Sequence, residues 1–86
     1  MHRKMEPVHP GRILRQEFMK PARLSQRRLA QTTGLSPAEI GEVLRGKSAI
    51  TPEIALGLER ALGMSAQTWL NLQDLYEFER TSNEAV

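Results

Sequence analysis

Leu24 to Lys47, LSQRRLAQTTGLSPAEIGEVLRGK, is the stretch whose reading decides the fold. It reads as two short helices around a tight turn at Gly34. Ser25 is placed to cap the first helix, whose inner face carries Leu29 and Ala30. Gly34 supplies the left-handed backbone position at which a helix ends without a Cβ penalty. Leu35 follows in the turn, where it can fill the space between the helices. Ser36-Pro37-Ala38-Glu39 opens the second helix with stacked signals. Ser36 caps, Pro37 takes the first position, where no amide donor is needed, and Glu39 can close a capping box. Ile40, Val43 and Leu44 recur at helical spacing, and Gly46 stops the run. Helices this short cannot bury their faces alone, so the pair requires a scaffold. The pair makes a helix-turn-helix at about residues 25–45, a unit whose second helix can enter the DNA major groove.

The flanks supply that scaffold. On the N-terminal side, His9-Pro10-Gly11 leads into RILRQEFMK. Pro10 fits a first helical turn, and Ile13, Leu14 and Phe18 give an apolar stripe, with Arg12, Arg15 and Gln16 facing elsewhere. Lys20-Pro21 is expected to end this helix, because a residue before proline is pushed out of the helical region. On the C-terminal side, Thr51 as cap with Pro52 at the first position starts a fourth helix. It carries Ile54, Ala55, Leu58, Ala61 and Leu62 and ends at Gly63. Ser65 caps a fifth helix. There Trp69, Leu72, Leu75 and Tyr76 form a stripe over about a third of the circumference. Leu70 and Phe78 lie outside it, which predicts a second contact through this helix, a dimer interface formed by Trp69, Leu70, Leu72, Tyr76 and Phe78. The expected plan is an all-α, five-helix bundle. Residues 1–8 form a flexible N-terminal arm, and 9–80 a single domain with its dimerisation helix at about 65–79. Residues 81–86 form a frayed tail.

Composition narrows the function classes. A chain of 86 residues suits one domain, and with no cysteine it has neither a disulfide framework nor the usual zinc-finger ligands. No apolar run approaches the roughly 20 residues of a membrane span, and no signal peptide is visible, so a cytoplasmic protein is the default. Net charge is +2 but unevenly spread. Residues 1–28 hold eight Lys/Arg against Glu6 and Glu17, a net +6; the remainder holds four basic and eight acidic residues, a net −4. A basic end attracts phosphate backbone, and an acidic end suits a basic partner. His9 stands without a Cys, Asp or second His at ligand spacing, so a structural role is expected and no metal. With no Gly-rich phosphate loop and both histidines in the first nine residues, an enzyme is not expected, nor a cofactor or small-molecule ligand.

The helix-turn-helix resembles the lambda-repressor-like (XRE) family through Leu24-Ser25-Gln26, Leu29-Ala30, Gly34-Leu35-Ser36, Ile40 and Leu44-Arg45-Gly46-Lys47. The flanks narrow the resemblance to HigA/VapI-type antitoxins. His9-Pro10-Gly11, Ile13-Leu14, Glu17-Phe18 and Pro21 precede the motif. Ile50-Thr51-Pro52, Ala55-Leu56 and Trp69-Leu70-Asn71-Leu72-Gln73 with Tyr76 follow it. The resemblance runs from about His9 to Glu77. It implies a protein that neutralises a HigB-type toxin, a RelE-like ribonuclease cutting mRNA on the ribosome. It also implies a homodimer that binds an operator in its own promoter and represses transcription.

The DNA contacts implied on this chain are as follows. Gln26 matches the family's phosphate anchor, and Arg23, Arg27 and Arg28 lie near it. Ser36, Pro37, Ala38, Glu39 and Glu42 occupy the reading face of the recognition helix, and Arg45, Lys47 and Ser48 would reach phosphates. The chain departs from strong readers in one respect. Family members often carry Arg, Gln, Ser or Asn where Pro37, Ala38 and Gly41 stand here, so the bidentate arginine–guanine and glutamine–adenine contacts are missing. Weaker or less selective DNA binding is therefore expected. Two alternatives stay open: a stand-alone repressor, and a toxin-binding module that has lost sequence-specific DNA binding.

Overall fold

In the computed structural model, which describes residues 6–84, each helix begins where local side-chain chemistry satisfies its first free amides. Helix α1 spans 10–22 as one rod in three pieces: an α-helical start Pro10–Ile13, a π-helical stretch Leu14–Met19 and a last turn Lys20–Ala22. Then come α2 (Gln26–Thr33), α3 (Pro37–Leu44), α4 (Pro52–Leu62) and α5 (Ala66–Glu84), with no strand among the described residues. The Ser25 hydroxyl accepts the Arg28 amide at 3.0 Å. Ser36 and Glu39 close the expected capping box, each side chain accepting the other's amide at 3.1 Å. Thr51 accepts from Ile54, and Ser65 from Thr68. Gly34 ends α2 at φ 78°.

Three expectations are corrected. First, α1 does not stop at Lys20-Pro21 but runs on to Ala22. Proline in a helix interior removes a donor and crowds the preceding turn. Here that turn is widened, with the Lys20 amide reaching back five residues to the Arg15 carbonyl, so the ring is accommodated. The stop comes at Arg23, φ 52°, where the Arg23 amide bonds the Lys20 carbonyl and the Leu24 amide the Met19 carbonyl. That pair of bonds is the Schellman arrangement, which favours glycine at this left-handed position. Arg23→Gly should therefore stabilise the domain by about 1 kcal/mol in urea unfolding.

Second, the last helix does not end at about residue 79: α5 continues to Glu84, and the remaining two residues of the expected tail lie outside the described residues. Of the expected N-terminal arm, Met1–Met5 lie outside the described residues, while Glu6–Val8 run without regular structure into α1. Third, the buried arc of α5 is rotated from the apolar stripe. Leu75 is exposed, whereas Leu70 packs against the core. Gln73 causes the rotation. It is buried, and its Oε1 accepts the Ile50 amide at 2.8 Å, so the centre of the arc carries a polar side chain. Gln73 also donates to Glu77, which keeps both ends of its amide occupied.

The core joins all five helices. Leu14 of α1, Leu29 of α2, Ile40 and Val43 of α3, Leu58 of α4 and Trp69 of α5 are fully buried. Trp69 meets Phe18 with ring centroids 5.4 Å apart. An aromatic of this size buries roughly 150–250 Å², so α5 is anchored to α1 through it. Trp69 is thus removed from the predicted dimer interface, because no part of it is left for a second chain to touch.

Candidate nucleic-acid interface

The candidate interface is α3 with the start of α2 and the turn after Leu44. The inner face of α3 (Ile40, Gly41, Val43, Leu44) is buried, which leaves Ser36, Pro37, Ala38 and Glu39 in solvent at its first turn. One hydrogen bond fixes the angle between the two motif helices. Gln26 Nε2 donates to the Pro37 carbonyl at 2.9 Å. The side chain lies so close over α3 that a Cβ at Gly41 would stand 2.8 Å from Nε2. Gly41 is therefore a packing residue, and Gln26, expected as a phosphate anchor, is a clasp within the chain.

The remaining predicted residues divide by their partners. Glu39 Oε1 is held by its own helix cap. Glu42 and Arg45 pair at 2.8 Å, both partly exposed, so each cancels the other's charge at the end of α3. An exposed pair of this kind contributes little to stability, and its effect here is on the local field. Ser48 is half-buried, and Arg23, Arg27 and Lys47 are exposed. Ala38, Glu39, Glu42 and Ser48 share an open groove of about 530 Å³ with Ala49, Thr51, Glu53 and Ile54. Arg23, Arg27 and Lys47 do not line it. Sequence reasoning missed Glu53, which adds a third carboxylate from α4; nothing local to Thr51-Pro52-Glu53 signals that it faces α3.

His9 takes the structural role expected of it. Its Nδ1 accepts the Gly11 amide at 2.9 Å and caps α1. The ring meets Tyr76 of α5 edge-on at 4.9 Å and bonds the Ser48 backbone. Burial pushes its pKa below 6.5, against the raising effects of the Ser48 bond and of Glu77. The unfolded chain then binds the proton more readily, so stability is complete above about pH 6.5 and falls as pH drops through the folded pKa. His9→Asn keeps a capping acceptor without titrating. Urea unfolding between pH 7.5 and 5 should show the wild type losing stability relative to this variant; parallel curves would exclude the effect.

No group of three or more His, Cys, Asp or Glu among the described residues is arranged to hold a metal ion. None of the described helices is long and apolar enough to cross a membrane.

Comparison with known proteins agrees with this geometry. The HTH_3 helix-turn-helix family model matches residues 16–69, from the middle of α1 into α5. Virulence-associated protein I of Dichelobacter nodosus is 41% identical over 81 residues, covering 94% of this chain and 75% of that protein. The solved structure of antitoxin GraA superposes with a TM-score of 0.90 at 32% identity, over 93% of this chain and 86% of that one. Pseudomonas aeruginosa antitoxin HigA, solved with the higBA promoter, superposes with a TM-score of 0.84 at 35% identity, over 92% of this chain and 85% of that one. With its capped recognition helix, its α5 anchor and these likenesses along nearly its whole length, the chain belongs to the XRE-type helix-turn-helix family, among the HigA antitoxins and related regulators.

Proposed function

We propose that this protein is the antitoxin of a type II toxin–antitoxin pair, acting in the cytoplasm. In this reading it neutralises a HigB-type toxin and, as a homodimer, binds an operator in its own promoter. The observation that carries the DNA half is the exposed first turn of α3, locked by the Ser36–Glu39 box and the Gln26–Pro37 clasp. Arg27 and Arg28 follow Gln26 at the start of α2 and are exposed, as are Arg23 before it and Lys47 after α3. A rigid reading edge between cations is what docking in a major groove requires. The likeness to a HigA antitoxin solved with promoter DNA supports the same role.

A second reading has its own support. Among the described residues, Glu39 and Glu53 carry no cationic partner in the groove beside α3, and Glu42 is the one carboxylate there paired with an arginine. This leaves the groove acidic and favours a basic protein over phosphate. The two readings separate in one experiment, co-purification with the protein encoded beside this one followed by gel shift on the shared promoter. A stable complex plus a shift supports the antitoxin–repressor. A shift without a partner leaves a stand-alone repressor, and a partner without a shift leaves a toxin-binding module.

Dimerisation is assigned to the outer side of α5, where Phe78 is 69% and Leu75 52% exposed. Leu72 packs on the core and Tyr76 on His9, so of the expected interface residues Phe78, with partly covered Leu70, is left to carry it. Phe78→Glu should convert a dimer to a monomer at tens of micromolar by light scattering without lowering the unfolding midpoint of the monomer. A wild type that is already monomeric there sinks the dimer model.

A further inference from the structure

A second cavity, of about 320 Å³, opens at the start of α1 beside the C-terminal end of α3. Arg12, Arg15 and Arg45 line it together with His9, Gly46 and Tyr76, and no carboxylate does. Arg12 and Arg15 are one turn apart on α1 and exposed, and neither has a carboxylate partner among the described residues. Arg45 is tied to Glu42 on its other side. His9 is no cation here, since its Nδ1 accepts the Gly11 amide. It acts as a wall that holds the start of α1 against the turn at Gly46 and Ser48. Two free guanidiniums and a third nearby, around one hollow without a counterion, form an unneutralised positive site within the basic part of the chain.

We propose that this cavity seats a DNA backbone phosphate, with Arg12 and Arg15 as donors, and so extends the DNA footprint from the recognition helix onto α1. The assignment rests on the DNA-binding reading above. Its position supports it. Arg45 separates the cavity from the groove in front of α3, because Arg45 lines one and its partner Glu42 lines the other. A helix in the major groove has backbone phosphates beyond each of its ends. Exposed Arg27 and Arg28 follow Gln26, whose amide meets Pro37 at the start of α3, and the cavity gives the far end of α3 a basic counterpart. The chemistry also favours phosphate. The two non-bridging oxygens of a backbone phosphodiester diverge from a tetrahedral phosphorus, so each can accept from a different guanidinium, whereas the two oxygens of a carboxylate lie in one plane and suit a single fork. Sequence-independent contacts here would also offset a reading face that is poor in hydrogen-bond donors.

The test uses the full chain and the double variant Arg12→Gln/Arg15→Gln, whose side chains are exposed and outside the core. In one arm, inorganic phosphate is titrated against acetate at equal ionic strength while the Gly46 amide and Tyr76 ring are followed by NMR. In the other, binding to a duplex of generic sequence is measured by fluorescence anisotropy across a salt series. The expected result is a saturable phosphate shift in the wild type that the variant loses. The slope of log affinity against log salt should also be lower by about one in the variant, with equal weakening for all sequences. A phosphate shift with an unchanged salt slope overturns the DNA assignment and leaves a free-phosphate site. Acetate shifting the same signals as strongly overturns the phosphate assignment in favour of an acidic side chain from a protein. No shift and no change of slope overturns the site altogether. If the wild type binds no duplex, the proposed DNA function fails on its own account. The phosphate arm then still reports separately on the cavity.

Discussion

Trp69→Ala should remove about 3–5 kcal/mol of folding stability, read as a lower urea midpoint at unchanged slope. Trp69 is the largest fully buried side chain, and it joins α5 to Phe18 of α1 across the core. A domain of this length holds in total roughly 4–13 kcal/mol, at about 0.05–0.15 kcal/mol per residue, so the variant keeps little of it. Trp69→Phe should behave differently. The indole Nε1 is buried and finds no acceptor among the described residues. An unsatisfied buried donor costs about 1–3 kcal/mol, so its removal offsets part of the lost packing. The phenylalanine variant should cost no more than about half as much as the alanine variant. Equal losses would mean that the indole nitrogen is satisfied in solution.

Gly11→Ala is the second large effect. A Cβ at Gly11 would stand 2.0 Å from the Val43 carbonyl oxygen and 2.8 Å from its carbon. Both atoms are backbone, so no rotamer change relieves the clash, and α1 must move away from α3. Overpacking of a core commonly costs about 1–3 kcal/mol, and a backbone-to-backbone collision lies at or above the top of that range. The displacement should also disturb the His9 cap and the turn at Gly46 and Ser48, because His9 precedes the glycine by two residues. DNA affinity is therefore expected to fall together with stability. Gly34→Ala is the useful contrast. Nothing lies within 4 Å of its added Cβ, and only the φ of 78° is unfavourable, worth about 1 kcal/mol. Equal effects at the two glycines would refute the close approach of α1 to α3.

The parts of the fold that were legible are those whose cause is local. Ser25, Ser36-Pro37 with Glu39, Thr51-Pro52 and Ser65 each announce a helix through groups three residues away, and Gly34 ends one by its own backbone freedom. What was not legible depends on distant neighbours. Pro21 looks like a stop unless the π-helical turn before it is known. Gln73 looks like a surface residue unless the Ile50 amide is placed against it, and misreading it exchanges the environments of Leu70 and Leu75. The site divides in the same way. Glu39 was expected in its cap and is found there, and the Glu42–Arg45 pair is equally local at i,i+3 although it was not foreseen, but the engagement of Gln26 by Pro37 needs the packed motif. Gly11, quoted for its resemblance alone, proves to be required by contact with Val43.

The purified chain would be titrated by fluorescence anisotropy against a duplex of its own promoter and a scrambled duplex of equal length, at one physiological salt concentration. Exposed Pro37 and Ala38 offer few groups to base edges, so the predicted preference for the promoter is at the low end of specific binding, on the order of a thousandfold. Equal affinity for the two duplexes would contradict a repressor role for α3 and leave the acidic groove as the working surface of this protein.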